Sequence, residues 1–433
     1  MMKRRDFLGV STLAVAGSAC GVSVQGAQAQ GGADALPGPI AALTPMKEGV
    51  TPISVDERKA RIEKARRLMI ENRIDALMLT GGTSMEYFTG MRWGLSERLT
   101  AVVIPKSGNA FIVTPKFEEE RTLEQARTGP LGAETDVMTW EEDASPYALV
   151  AQGLRARGAA TGTLGIEETV RHVFSNGVAS AAPGLRLTSG TPVSAGCRMV
   201  KDAHELALMR HASAVTLKAY EAAYKSLKEG MTQSDFARLV QQAHRQLGYD
   251  GGAGVQVGQY SALPHGSVTP QTIVEGSILL IDGGCKVEGY SSDISRTFVL
   301  GKATEKMKSV FAIEHAAQTA AVQTARPGLA CEAVDAAARK VIEDGGYGPG
   351  YKYFTHRVGH GMGMDGHEWP YLVKGNKLAL APGMTFSDEP GIYIPGEFGV
   401  RLEDDMVITE TGAELFTPQS PSLEDPFGTG SVT

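Results

Sequence analysis

At 433 residues the chain can bury a large core and has room for two domains. Hydrophobic residues make up 42% and charged residues 21%, which is ordinary for a globular protein. The formal charge of -7, with no long basic run, sets nucleic acid aside as a partner.

The chain opens on a targeting segment. Lys3-Arg4-Arg5-Asp6 is a basic start with paired arginines, Leu8 to Val22 is weakly apolar, and Ala27-Gln28-Ala29 is an A-x-A cleavage signal. Together they resemble a twin-arginine export signal, so residues 1–29 are expected to be removed and the mature protein to reside in the periplasm. The apolar stretch is too short to anchor the chain, and no other stretch qualifies, so no stable membrane insertion is expected. Cys197, Cys285 and Cys331 remain after cleavage, an odd number without C-x-x-C spacing, and no disulfide framework is expected.

Residues 30–50 are rich in Gly, Ala and Pro and read as a linker. Ser54-Val55-Asp56-Glu57 is a capping box that opens an amphipathic helix to about Asn72. Apolar runs at 76–79, 101–104 and 110–113 read as buried strands, and residues 51–200 form one α/β domain. A second capping box, Asp202-Ala203-His204-Glu205, opens a long helix expected to end near Gly230. Residues 201–420 form the second domain, and 421–433 read as a flexible tail.

The second domain repeats itself. Gly230, Gly248, Tyr249 and Gly252 match Gly328, Gly346, Tyr347 and Gly350 at one constant offset. Each copy reads as glycine turn, amphipathic helix and Gly-Tyr, so a pseudo-two-fold α/β unit with a central site is expected. The apolar run 277–282 ends in Asp282, Glu288-Gly289 supplies a turn, and 292–300 returns. Asp282 and Asp293 therefore sit on facing strands of one hairpin. Residues 385–394 and 399–409 read as a second hairpin, which carries Glu389 and Glu403.

His356, His360 and His367 fall in a glycine-rich segment that argues against a helix. There is no H-E-x-x-H, so a conventional single-zinc protease is a poor match. Four carboxylates and an imidazole exceed one open catalytic ion and suit two divalent ions bridged by shared carboxylates. Such oxygen-rich ligation favours manganese, cobalt or iron(II) over thiolate-type zinc.

The segments around Asp282, Asp293, His360, Glu389 and Glu403 resemble the pita-bread metallopeptidases, the family of methionine aminopeptidase, prolidase and aminopeptidase P. The order Asp, Asp, His, Glu, Glu is complete. Residues 54 to about 200, with Tyr87-Phe88-Thr89-Gly90, resemble the N-terminal domain of the prolidase and creatinase branch, which methionine aminopeptidases generally lack. His356 stands four residues before His360 and His367 seven after, as in the Xaa-Pro enzymes, and His265 matches their further active-site histidine.

The resemblance implies hydrolysis of Xaa-Pro bonds in dipeptides or at peptide N-termini, by a hydroxide bridging two ions, manganese or cobalt, with iron or zinc as alternatives. Glu389 is then ligand and proton acceptor, and His367 a partner of the oxyanion or leaving nitrogen. His265 and His356 position the substrate, and Arg401 holds Glu403 or a substrate carboxylate, or serves only as one half of a structural ion pair. In this family the N-terminal domain often reaches a neighbouring subunit's site, and a homodimer is expected; for Trp93 on that domain, core or surface packing is the favoured role. The competing readings are a creatinase-like C–N hydrolase, a metal-dependent dimethylsulfoniopropionate lyase, and a non-catalytic binding protein. The first and last expect eroded ligands, and the lyase an acid where Gly284 stands.

Overall fold

A computed structural model of the chain describes residues 35–430, and the export signal lies outside the described residues. The helix Val55–Glu71 opens on the expected capping box, in which Glu57 N donates to Ser54 Oγ at 3.2 Å and Ser54 N to Glu57 Oε2 at 2.7 Å. Behind it lies a six-stranded sheet. Its strands are β1 Ala76–Thr80, β2 Ala101–Pro105, β3 Phe111–Pro115, β4 Asp136–Trp140, β5 Thr163–Ile166 and β6 Arg186–Ser189, in the order β4-β3-β2-β1-β5-β6. β1, β2 and β3 are buried along their whole length, as unalternated apolar runs require.

The helix Ala203–Tyr224 starts at its predicted capping box but stops at Tyr224, short of Gly230, because residues 225–230 turn away. The repeat recurs in local structure as far as the Gly-Tyr pair, after which Gly252 enters a strand and Gly350 takes a left-handed φ of 61° in a loop. Helices Gln233–Gln246 and Cys331–Asp344 occupy matching places. Gly230 and Gly328 both take left-handed φ, 86° and 82°, and donate to Ile273 O at 2.8 Å and Leu380 O at 2.9 Å. Tyr249 N reaches His244 O and Tyr347 N reaches Ile342 O, each at 3.0–3.1 Å.

Each half contributes a curved antiparallel ladder. The first holds β7 Gly251–Val257, β8 Ile278–Val287, β9 Tyr290–Ser291 and β10 Ile294–Val299. Glu288 and Gly289 both take positive φ between Val287 and Tyr290, the two-residue turn that the hairpin needs. The second has the order β12-β11-β13-β16-β17, from β11 Gly359–Gly361, β12 Glu368–Leu372, β13 Thr385–Asp388, β16 Asp404–Ile408 and β17 Ala413–Leu415. Between β13 and β16 the pair β14 Gly391–Ile394 and β15 Phe398–Arg401 forms its own ladder. The core of this half packs Val310, Ala317 and Ala321 of the helix Glu305–Thr324 against Phe386, Val400 and Met406.

Two expectations are corrected. The 30–50 linker is docked from Pro37 onward: Ile40 is fully buried, and Met46 N donates to Leu247 O at 2.9 Å while Met46 O accepts from Tyr249 and His211. The tail from 421 is packed through residue 427. Leu423 is buried, its carbonyl accepts from Val299 N at 2.9 Å, and Phe427 packs on Tyr224. In both segments a few apolar side chains outweigh the Gly and Pro content that suggested looseness.

Candidate metal centre

The hairpin registers bring the acids together. Ser295 pairs with Asp282 and Ile294 with Gly283, so Asp293, one residue before β10, lies diagonal to Asp282 on the same face. In the second hairpin β13 and β16 pair Asp388 with Asp404, and β14 and β15 pair Gly391 with Arg401. The register is continuous across the break, which sets Glu389 opposite Glu403. Pro390 interrupts the ladder there, since it has no N–H to donate. His360 is on β11, where a bulge between His360 and Gly361 in the pairing with β12 redirects the ring.

All nine residues singled out from the sequence line one cavity of about 360 Å³: Asp282, Asp293, His360, Glu389, Glu403, His265, His356, His367 and Arg401. His360, Glu389 and Glu403 bring ligand atoms within 4.8 Å of one another, and so do Asp282, Asp293 and Glu403. Glu403 is common to both groups, as a bridging carboxylate would be. Asp293, His360 and His367 satisfy the same distance, so His367 is near enough to reach an ion as well.

The electrostatics fit cations. Four carboxylates line the cavity against two permanent cations, Arg357 and Arg401. Burial, then the neighbouring carboxylates, push the Asp293 and Glu403 carboxyls well above the ordinary range. Burial also opposes ionisation of Glu389, but the hydrogen bond and charge of His360 outweigh it and hold that carboxyl low. His360 Nδ1 lies 3.1 Å from Gly361 O, an acceptor, so Nδ1 carries the proton. Nε2 then faces Glu389 Oε1 at 3.2 Å and Asp293 Oδ2 at 3.9 Å. Those distances call for positive charge between the groups, supplied either by a proton on Nε2 or by a metal ion in its place.

Arg401 does not hold Glu403 by a salt bridge. Its Nη2 pairs with Asp282 Oδ2 at 2.7 Å, Nε donates to Ser295 Oγ at 3.0 Å, and Nη1 donates to Tyr393 Oη at 3.0 Å and Pro264 O at 3.1 Å. Each of its three nitrogens has a partner, and the pairing through Nη2 supports Asp282. His356 is similarly committed: Nδ1 meets Arg357 O at 2.8 Å and Nε2 meets Tyr393 Oη at 2.7 Å. The carbonyl fixes the proton on Nδ1, so Tyr393 donates to Nε2 while accepting from Arg401. Burial lowers the pKa of His356. His367 stacks on His360 with ring centroids 3.8 Å apart, and burial, then His360, lower its pKa. His265 is exposed on the loop at the cavity mouth. Trp93 lies against the Arg121 guanidinium on the N-terminal domain.

The sequence reading missed three supporting residues. Ser295 Oγ lies 3.0 Å from Asp282 Oδ1 and 2.7 Å from Glu403 Oε2, so one hydroxyl links the two carboxylates. Its position two after Asp293 puts it on the ligand face, the one available signal. Tyr393 carried no signal. Arg296, fully buried, pairs with Asp404 at 2.7 Å and donates to Glu403 O at 2.8 Å.

Comparison with known proteins agrees with this geometry. Residues 207–410 match the metallopeptidase family M24, and residues 61–200 match the creatinase/prolidase N-terminal domain. The Xaa-Pro dipeptidase of Lactobacillus delbrueckii subsp. lactis is 32% identical over 373 residues, covering 84% of this chain and 98% of that protein. The Xaa-Pro dipeptidase of Pyrococcus furiosus is 31% identical over 84% of this chain and 99% of its own length. Among solved structures, dipeptidase PepE from Mycobacterium ulcerans superposes with a TM-score of 0.80 at 33% identity, over 86% of this chain and 99% of that one.

Fold and site define a metal-dependent peptidase built from a creatinase-type N-terminal domain and a pita-bread catalytic domain. The chain belongs to metallopeptidase family M24. It is an enzyme that hydrolyses peptide bonds with divalent metal ions, and this reading stands over a creatinase-like hydrolase or a lyase.

Proposed function

We propose that the protein is an Xaa-Pro dipeptidase with two divalent ions, manganese or cobalt before iron or zinc, held by Asp282, Asp293, His360, Glu389 and Glu403. The observation that carries the metal site is the convergence of four carboxylates on a cavity with two permanent cations, one of them committed to Asp282. Relatives named Xaa-Pro dipeptidase and prolidase, aligned over nearly their full length, support the substrate class. A proline amide has no N–H, so only a site that does not require that donor can cleave it.

When bound, the ions supply a water of lowered pKa and polarise the scissile carbonyl. The residues of the chain do the rest. The Ser387 hydroxyl donates to Glu389 Oε1 at 3.2 Å and orients the carboxylate, which would accept a proton from the attacking water. His367 presents an imidazole beside His360 to the developing oxyanion or the departing proline nitrogen. His265 contacts the substrate at the mouth. His356 acts through Tyr393 and Arg401, which orient Asp282.

The assay that tests this reading compares Ala-Pro and Ala-Pro-Ala on enzyme loaded with Mn²⁺ or Co²⁺. Preferred cleavage of Ala-Pro is expected. Preferred cleavage of the tripeptide would make the enzyme an aminopeptidase, and cleavage of neither would sink the proline specificity. A homodimer is the proposed assembly, checked by light scattering. Export by the twin-arginine route is proposed from Lys3-Arg4-Arg5. Replacing Arg4 and Arg5 by Lys should leave active precursor in the cytoplasm, and unchanged periplasmic delivery would show the arginine pair to be incidental.

A further inference from the structure

The segment carrying His367 is held from outside the catalytic domain. Arg198 ends the helix Thr191–Arg198, on the N-terminal side of the domain junction, and Lys201 follows within the junction. Both reach the Glu368 carboxylate: Arg198 Nη2 meets Oε1 in a short contact, and Lys201 Nζ lies 3.2 Å from Oε2. All three side chains are buried, at 7%, 2% and 5% exposure for Arg198, Lys201 and Glu368. Arg198 Nη2 also pairs with Asp365 Oδ2 at 2.6 Å, and Thr83 of the N-terminal domain donates to Asp365 Oδ1 at 2.5 Å. Asp365 N closes the loop by donating to Glu368 Oε1 at 3.0 Å.

His367 is therefore bracketed by two carboxylates that N-terminal and junction residues grip. The fit leaves no slack: a Cβ on Gly363 would come within 2.9 Å of Lys201 Cε and 3.0 Å of the Glu368 oxygens. An ion cluster serving stability alone could sit anywhere along the junction. This one closes on the residues next to the imidazole that stacks on His360 at 3.8 Å.

We propose that the N-terminal domain sets the position of His367, with Arg198 and Lys201 as positioning residues that act through Glu368 and Asp365. The inference rests on the reading of His367 as a residue that contacts the reacting peptide bond. It makes the N-terminal domain part of the catalytic apparatus of its own chain, whatever it does at a neighbouring subunit.

A double-mutant cycle on the full-length, metal-loaded enzyme with Ala-Pro tests it. Arg198→Met should lower kcat about 10- to 100-fold, the scale for a catalytic group displaced by about 1 Å, with KM and metal content near wild type. In a His367→Ala background the same change should cost less than about twofold, because the group it positions is gone. Equal losses in the two backgrounds would overturn the proposal. If His367→Ala alone leaves kcat unchanged, the catalytic reading of His367 is what fails, and the clamp loses its target with it. Should Arg198→Met fail to fold, Thr83→Val decides. It removes one hydrogen bond to Asp365, and about a 2- to 10-fold loss confined to the His367 background supports the clamp, while an equal loss in both backgrounds refutes it.

Discussion

Arg296→Met is the perturbation whose cost can be worked most directly from the structure. Arg296 and Asp404 are both fully buried and their Nη2–Oδ1 distance is 2.7 Å. The guanidinium also donates to three carbonyls, Glu403 O at 2.8 Å, Ser295 O at 3.0 Å and Pro418 O at 3.0 Å. Methionine fills similar space but offers no donor, so Asp404 keeps only its Gln318 and Thr417 partners. Removing one member of a buried ion pair costs about 3–5 kcal/mol, most of it from the uncompensated charge left behind. The assay is urea unfolding of the metal-free protein, read as a fall in the midpoint at unchanged slope. If stranded charge is the cause, adding Asp404→Asn to Arg296→Met should restore part of the loss. A single variant within about 1 kcal/mol of wild type would refute the reasoning, as would a double variant no more stable than the single one. Because Arg296 ties the backbones at Ser295 and Glu403, the single variant should also bind metal more weakly.

Asp293→Ala, His360→Ala and Glu403→Ala should each abolish activity and reduce bound metal, and elemental analysis finding at most one ion in an active wild-type enzyme at saturating metal would refute the two-ion site. His367→Ala should keep both ions while kcat falls about 10²–10⁴-fold; a parallel loss of metal would make His367 a ligand. Burial opposes ionisation of Glu368, but Lys201 and Arg198 prevail and hold its carboxyl at about 2, below the ordinary 4.5. The folded state thus binds fewer protons than the unfolded state in that window, and this stabilisation is complete above 4.5 and lost as pH falls toward 2. Urea midpoints of Glu368→Gln should accordingly depend less steeply on pH there than wild type, and equal slopes would refute it. Burial pushes the thiols of Cys197, Cys285 and Cys331 up to about 12, 11 and 11, so none should react with Ellman's reagent at pH 8 until the protein is unfolded.

The ligand set was legible because each member sits where local pattern fixes it. Asp282 ends an apolar run, Glu288-Gly289 forces the return to Asp293, and the glycine repeat places both halves around one centre. The support of those ligands was not legible, because its partners are distant in sequence and unremarkable in type. Arg296 meets Asp404, Tyr393 meets His356, and Arg198 meets Glu368 only after the strands have paired. Arg401 shows the boundary. A structural ion pair is among the roles its sequence context allows, but the partner emerges only from strand pairing, which carries the guanidinium to Asp282 rather than Glu403. The linker and tail erred the other way: composition cannot register that Ile40 and Leu423 each find a slot in a core built elsewhere.

The β14–β15 hairpin keeps the register unbroken on either side of Glu389 and Glu403. Its tip is three residues, Pro395 to Glu397, with Gly396 at φ 78° and Glu397 N donating to Ile394 O at 3.0 Å. Side chains alternate between faces with every residue, so a slip of one residue in either ladder would turn one glutamate away from the other. A two-residue tip can close the same pair, Ile394 with Phe398, so shortening the turn by one residue need not move them. The turn can therefore vary while the strand pairing on either side keeps Glu389 and Glu403 face to face.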